Sequence, residues 1–177
     1  MLAGFSHAPV IELSERLVQI TPSGLNKVFY ADNGSAGIEV ALKMSHHYWC
    51  NLGRPQKKKF ISLSNGYHGE TLATLSVSDV PLYNQTYQAL LMDCIKVPSP
   101  DCYLREPGKS WEQHSREMFV HMQQALEQHA HETAAVILEP LIQGAGGMRM
   151  YHPIYLELLS YACKEAGVHL IVDEIAT

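Results

Sequence analysis

Apolar positions along the chain repeat with two different periods, one helical and one of strand type, and their alternation lays out most of the elements. In PVIELSERLVQI the spacing sets Val10, Leu13, Leu17 and Val18 on one helical face, and TPSG breaks it. KVFYA (27–31) is rich in strand formers, and DNGS (32–35) reads as a turn. AGIEVALKMSHHYWC then carries Ile38, Ala41, Leu42 and Trp49 on a helical stripe, with Glu39 one turn ahead of Lys43 as a supporting pair. FISLS (60–64) predicts a second short strand, followed by the glycine-flanked NGYHGE.

Residues 80–110 hold many of the prolines and little periodicity, which predicts a long irregular connection with short strands at most. Order returns in WEQHSREMFVHMQQALEQHA, where Trp111, Met118, Phe119, Met122 and Leu126 align on one helical face. AAVILEP (134–140) predicts a buried strand stopped by proline, and LIQGAGGMRMYHP a glycine-bearing loop. Pro153 opens the helix of PIYLELLSYACKEAG, Gly167 stops it, and VHLIVDE predicts a last short buried strand. Strands alternating with helices imply an α/β fold with a mainly parallel sheet covered on both faces. Ligands of such sheets gather at the carboxyl ends of the strands, so the loops to inspect are DNGS, NGYHGE, EPLIQGAGG and DEIAT.

Composition narrows the function. The chain has 177 residues, 46% of them hydrophobic, enough to bury a core, and its formal charge is −5 with no long basic run. Nucleic acid is therefore not an expected partner. The one basic cluster, Lys57-Lys58-Lys59, reads as a solvated face. Cys50, Cys94, Cys102 and Cys163 form no C-x-x-C pair and suit a reducing, cytoplasmic setting. No leader pattern and no long apolar run argue for secretion or a membrane span. The histidines show no H-E-x-x-H spacing, and no metal site is expected.

Four places can carry chemistry. Gly34 and Ser35 lie between the predicted strand and helix, where free N–H groups and the helix dipole attract an anion, although Ser35 equally suits a plain helix cap. Tyr67 and His68, between Gly66 and Gly69, present an aromatic ring on which a flat ligand stacks, unless the ring merely packs the turn. Glu139 and Asp173 each end an apolar strand. A carboxylate buried there needs a cation or several donors, while a helix cap or a loop ion pair would also account for each.

Taken in order, DNGSAGIEVALKM, NGYHGET, ILEPLIQGAGGMRMYHP and LIVDEIAT resemble the large domain of the class III, pyridoxal-phosphate-dependent aminotransferases, across essentially the whole chain. The resemblance implies a fold-type I transferase and pyridoxal 5'-phosphate as cofactor. It implies Gly34 and Ser35 at the cofactor phosphate, Tyr67 and Ile175 against the two faces of the pyridine, and Asp173 on its nitrogen, with Tyr67 and Asp173 as the catalytic pair. Glu139 and His68 fall to substrate contact or to support around the cofactor, as does Gln143, while Arg149 and Tyr151 shape the loop. Within the family, GAGGMRMYHP and SHHYW resemble the biotin-biosynthesis branch, which implies S-adenosylmethionine as amino donor and 8-amino-7-oxononanoate as acceptor. A different ω-amine aminotransferase and a non-enzymatic α/β module binding a phosphorylated ligand are the alternatives.

Aminotransfer also needs a lysine that forms a Schiff base. None of Lys27, Lys43, Lys57, Lys58, Lys59, Lys96, Lys109 or Lys164 sits in a matching motif. The resemblance sets Met1 at an internal position and the lysine beyond the last strand. Residues 1–177 are thus expected to be part of a cofactor-binding large domain, inactive alone, from an enzyme that works as a homodimer.

Overall fold

The computed structural model describes residues 4–177. The chain forms two compact units, Met1–Asp32 and Asn33–Thr177. In the first, α1 (Ala8–Ile20) begins where the His7 ring accepts the Val10 N–H, with Pro9 in the first turn. Ser14 Oγ meets the Tyr30 hydroxyl at 2.9 Å and ties the following segment to the helix. The strand predicted over 27–31 does not form. Among the described residues its unit contains no strand to take its backbone groups, and strand propensity without a neighbour is too weak to hold a ladder.

The second unit runs α2 (Gly34–Asn51), β1 (Lys59–Leu63), α3 (Leu72–Val77), α4 (Pro81–Asn84), β2 (Ile95–Val97), α5 (Trp111–His129), β3 (Thr133–Leu138), β4 (Ile142–Gln143), β5 (Arg149–Met150), α6 (Ile154–Ala166) and β6 (His169–Val172). Four strands pair in parallel in the order β2-β1-β3-β6. Alternation along β1 and β3 divides the core in two. Ile61, Leu63, Val136 and Leu138 pack on Phe119, Met122 and Leu126 of α5 and on Tyr155, Leu159 and Cys163 of α6. Phe60, Ala135 and Ile137 pack on Ile38, Leu42 and Trp49 of α2 and on Val77 of α3. The sheet is covered on both faces, as its sequence pattern requires. Truncating a fully buried side chain such as Leu42 to Ala would cost about 2–5 kcal/mol.

Several local expectations give way to longer-range contacts. Lys57 is no solvated residue: it is 5% exposed, and its ammonium donates to the carbonyls of Ala130, Thr133 and Gly167 while lying 4.7 Å from the Trp49 ring centroid. Glu39 accepts from Thr71 Oγ1 at 3.1 Å instead of pairing with Lys43. The buried face of α5 is Ser115, Phe119, Met122, Ala125 and Leu126, and Trp111 stays partly exposed at the helix start, where Ser110 and Gln113 form a capping box. β6 is half-buried, not buried, because β3 is its one partner and it lies at the sheet edge. The proline-rich connection contributes β2, and the glycine-bearing loop folds as the antiparallel pair β4–β5. Gly167 closes α6 in the left-handed region at φ 60°, as its position implies.

Candidate functional site

The loops that leave β1, β3 and β6 emerge together at the carboxyl end of the sheet, and the first turn of α2 lies beside them. Gly34, Ser35, Tyr67, His68, Asp173 and Ile175 line one cleft of about 290 Å³ there. Two further residues complete the lining, Asn33 and Gly69, neither singled out by the sequence pattern.

Each wall has a local cause. Asn33, not Ser35, caps α2: its side-chain oxygen accepts the Ala36 N–H at 2.8 Å, and its carbonyl accepts that of Gly37 at 3.0 Å. Among the described residues, the Gly34 and Ser35 N–H groups meet no acceptor, so the first turn retains free donors at the positive end of the helix dipole. The Ser35 hydroxyl is released from capping and accepts the Glu70 N–H at 3.4 Å. Gly69, at φ 121°, lies so close to Ser35 that any Cβ would collide with its side chain, which makes glycine obligatory at this contact. The signal was the second glycine of NGYHGE.

Asp173 is 7% exposed and directly follows β6; its N–H donates to Leu138 O at 2.9 Å, extending the β3–β6 ladder by one bond. Its Oδ2 lies 2.8 Å from His68 Nδ1, so the carboxylate selects the histidine tautomer that carries its proton there. The His68 backbone N–H donates to Ser78 Oγ at 2.8 Å, and the imidazole is buried, with Nε2 lacking a partner among the described residues. Among the described residues Asp173 Oδ1 takes only the Ile175 N–H, at 3.4 Å. The carboxylate is thus held on one oxygen and scarcely engaged on the other.

Tyr67 lines the cleft with its ring centroid 5.0 Å from that of Tyr83, and its hydroxyl donates to Glu70 at 3.1 Å. Burial, then the Glu70 carboxylate, pushes the phenol pKa up. Ile175 is 70% exposed. Glu139 does not line the cleft. It is buried behind it, accepting the Tyr67 N–H and the Gly144 N–H, each at 2.9 Å. Burial raises its pKa, with these two N–H bonds working against the rise. Gln143 is buried and donates to Ser64 O at 2.9 Å; Arg149 pairs with Asp101 at 2.7 Å, and the Tyr151 hydroxyl donates to Glu139 O. These side chains fix loops and do not enter the cleft.

A larger groove of about 570 Å³ opens elsewhere, over Leu42, Phe60, Ala73 and Met92. Its polar lining is Lys43, His46, Lys58, Lys59 and the exposed Asp93, with no buried acid among the described residues, so chemistry, not size, singles out the smaller cleft.

Comparison with known proteins matches residues 1–177 to the class-III aminotransferase family. The adenosylmethionine-8-amino-7-oxononanoate aminotransferase of Helicobacter pylori is 45% identical over 100% of this chain and 38% of its own length. The Staphylococcus aureus protein of the same name is 40% identical over 99% of this chain and 39% of its own. Among solved structures, the enzyme of that name from Methanocaldococcus jannaschii superposes with a TM-score of 0.87 at 36% identity, over 99% of this chain and 37% of that one. The omega transaminase of Pseudomonas jessenii, solved in complex with PMP, gives 0.84 at 34% identity, over 94% and 37%. The chain therefore spans well under half the length of the curated relatives it matches.

Proposed function

The chain belongs to the class-III aminotransferases, a family whose cofactor is pyridoxal 5'-phosphate, and from that membership we propose that the cleft at the carboxyl end of the sheet is its cofactor site. The observation that carries this reading is the buried, half-engaged carboxylate of Asp173 in the same cleft as the free first-turn N–H groups of α2. The residues fit the group. Gly34, Ser35 and the Ser35 hydroxyl suit a phosphate dianion. Asp173, oriented by His68, suits a protonated ring nitrogen, and Tyr67 and Ile175 suit the two faces of a flat ring. When bound, the cofactor supplies an electron sink that lets an amino group leave one carbon and join another. Asp173 keeps the proton on the ring nitrogen, the phosphate cradle fixes the group's position, and Tyr67 fixes its plane.

In this reading residues 1–177 contribute part of a cofactor-binding large domain. No lysine lines the cleft among the described residues, and the reacting lysine comes from outside residues 1–177. The whole protein moves an amino group from S-adenosylmethionine to 8-amino-7-oxononanoate, forming 7,8-diaminononanoate for biotin biosynthesis, and does so as a homodimer in the cytoplasm. Relatives of that name matching the entire chain support the substrate pair. The chain's similarity to omega transaminases keeps one competitor in view, transfer between an ω-amine and a keto acid. Assaying the protein as the cell makes it with both donors decides: amino transfer from S-adenosylmethionine supports the reading. Transfer from ω-amines with none from S-adenosylmethionine would overturn the substrate assignment and leave the family in place.

A further inference from the structure

Glu139 is the buried acid beside the cleft that the proposed chemistry leaves without a task. Its two carboxylate oxygens serve two different loops: Oε2 accepts the N–H of Tyr67, 72 positions away, and Oε1 that of Gly144. Both loops need holding. Leu141 takes φ 63°, and the Ile142 N–H bonds back to Pro140 O at 2.7 Å, a γ-turn of the rare, strained positive-φ form. Asn65, at φ 62°, presses its backbone so closely on Gly146 that no side chain fits between the two loops. A carboxylate accepts at both oxygens with no proton of its own, so it alone satisfies two facing N–H donors; a carboxamide offers one acceptor and turns an NH₂ against the other donor. Burial of an acid at this position is unfavourable unless both bonds are made.

We propose that Glu139 is a positioning residue: its carboxylate clamps the Tyr67 loop to the glycine-rich loop and thereby sets the tilt and height of the Tyr67 ring in the cleft. The proposal rests on the cofactor reading above, and it acts through Tyr67, not through contact with any ligand.

A double-mutant cycle tests it, using the purified protein as the cell makes it and pyridoxal 5'-phosphate as the probe. Glu139→Gln should weaken binding of the cofactor about tenfold in the wild-type background. In a Tyr67→Ala background, where no ring remains to be aimed, the same change should cost less than about twofold. Equal losses in the two backgrounds, or no loss in either, overturn the proposal. Should Glu139→Gln fail to fold, amide hydrogen exchange on the wild type decides. The Tyr67 and Gly144 amides should exchange far more slowly than those of Ala145 and Gly146, which meet no acceptor among the described residues. Fast exchange at Tyr67 or Gly144 shows that no clamp exists. A wild-type protein that takes up no pyridoxal phosphate overturns the cofactor reading instead, and the amide measurement still reports separately on the clamp.

Discussion

The two ends of the parallel sheet each bury charge, and they do so in opposite ways. At the amino end Lys57 lies among the last carbonyls of the helices that feed β3 and β6, and its three ammonium protons go to Ala130, Thr133 and Gly167. The partners are dipoles of the chain itself, two of them at the negative ends of α5 and α6 and the third, Thr133, at the start of β3, and the group is saturated. At the carboxyl end, among the described residues, Asp173 has one full partner, His68 Nε2 has none, and the first turn of α2 keeps free donors. A saturated buried charge is a structural pin; an unsaturated cluster of opposite polarities in one cleft is a place for a ligand that carries both an anion and a cation.

The strongest break of this comparison is at Asp173. Asp173→Asn keeps the shape and removes the charge, and turnover of the whole enzyme should fall about a thousandfold, some 4 kcal/mol of lost transition-state stabilisation. Folding should survive, as read by thermal melting; near-wild-type turnover would return Asp173 to a structural role. Lys57→Met should show the reverse pattern. Three carbonyls lose their donor in a buried place, so stability should fall by about 2–4 kcal/mol in chemical denaturation while cofactor affinity changes less than about twofold.

A smaller effect separates the two nitrogens of His68. Asn places its amide nitrogen near the Nδ1 position and Gln near Nε2, so His68→Asn should hold Asp173 and retain cofactor affinity. His68→Gln should lose about tenfold. Equal affinities for the two variants would remove His68 from the support of Asp173. The smallest effect belongs to the amino end. Burial, then the nearby Lys57 charge, lowers the His169 pKa below its usual 6.5. The unfolded chain therefore takes up this proton first as pH falls, and stability is lost through the window from 6.5 down to the lowered value, with no contribution above it. In His169→Phe that part of the acid-side slope in denaturation midpoints should disappear; an unchanged slope would show that another group sets it.

The same contrast explains what was legible in the sequence. Helices α2, α5 and α6 and strands β1 and β3 followed from spacing, because their burial is periodic and local. Tyr67, His68 and Asp173 followed from their places in loops after strands, where glycine and an acid interrupt apolar runs, whereas Gly34 and Ser35 were placed after a strand that does not form. Lys57 was illegible: within Lys57-Lys58-Lys59 nothing marks the first as buried, since its partners lie 73 to 110 positions away. The Tyr67–Glu139 bond was hidden for the same reason. The segment 27–31 shows the converse error, a correct propensity with no neighbour in its unit to realise it. Asn33 was missed as the cap because Ser35, two positions on, offered an equally good capping side chain.

The central claim is that the unsatisfied groups at the carboxyl end exist for pyridoxal phosphate. Its most direct test is a titration of the isotope-labelled protein with pyridoxal 5'-phosphate, following backbone amide resonances. The account predicts shifts at Gly34, Ser35, Tyr67, Gly69 and Asp173, with the amino-end resonances of Lys57 and Ala130 unmoved. Shifts confined to the groove over Leu42 and Met92, or none at the α2 first turn at saturating cofactor, would contradict it.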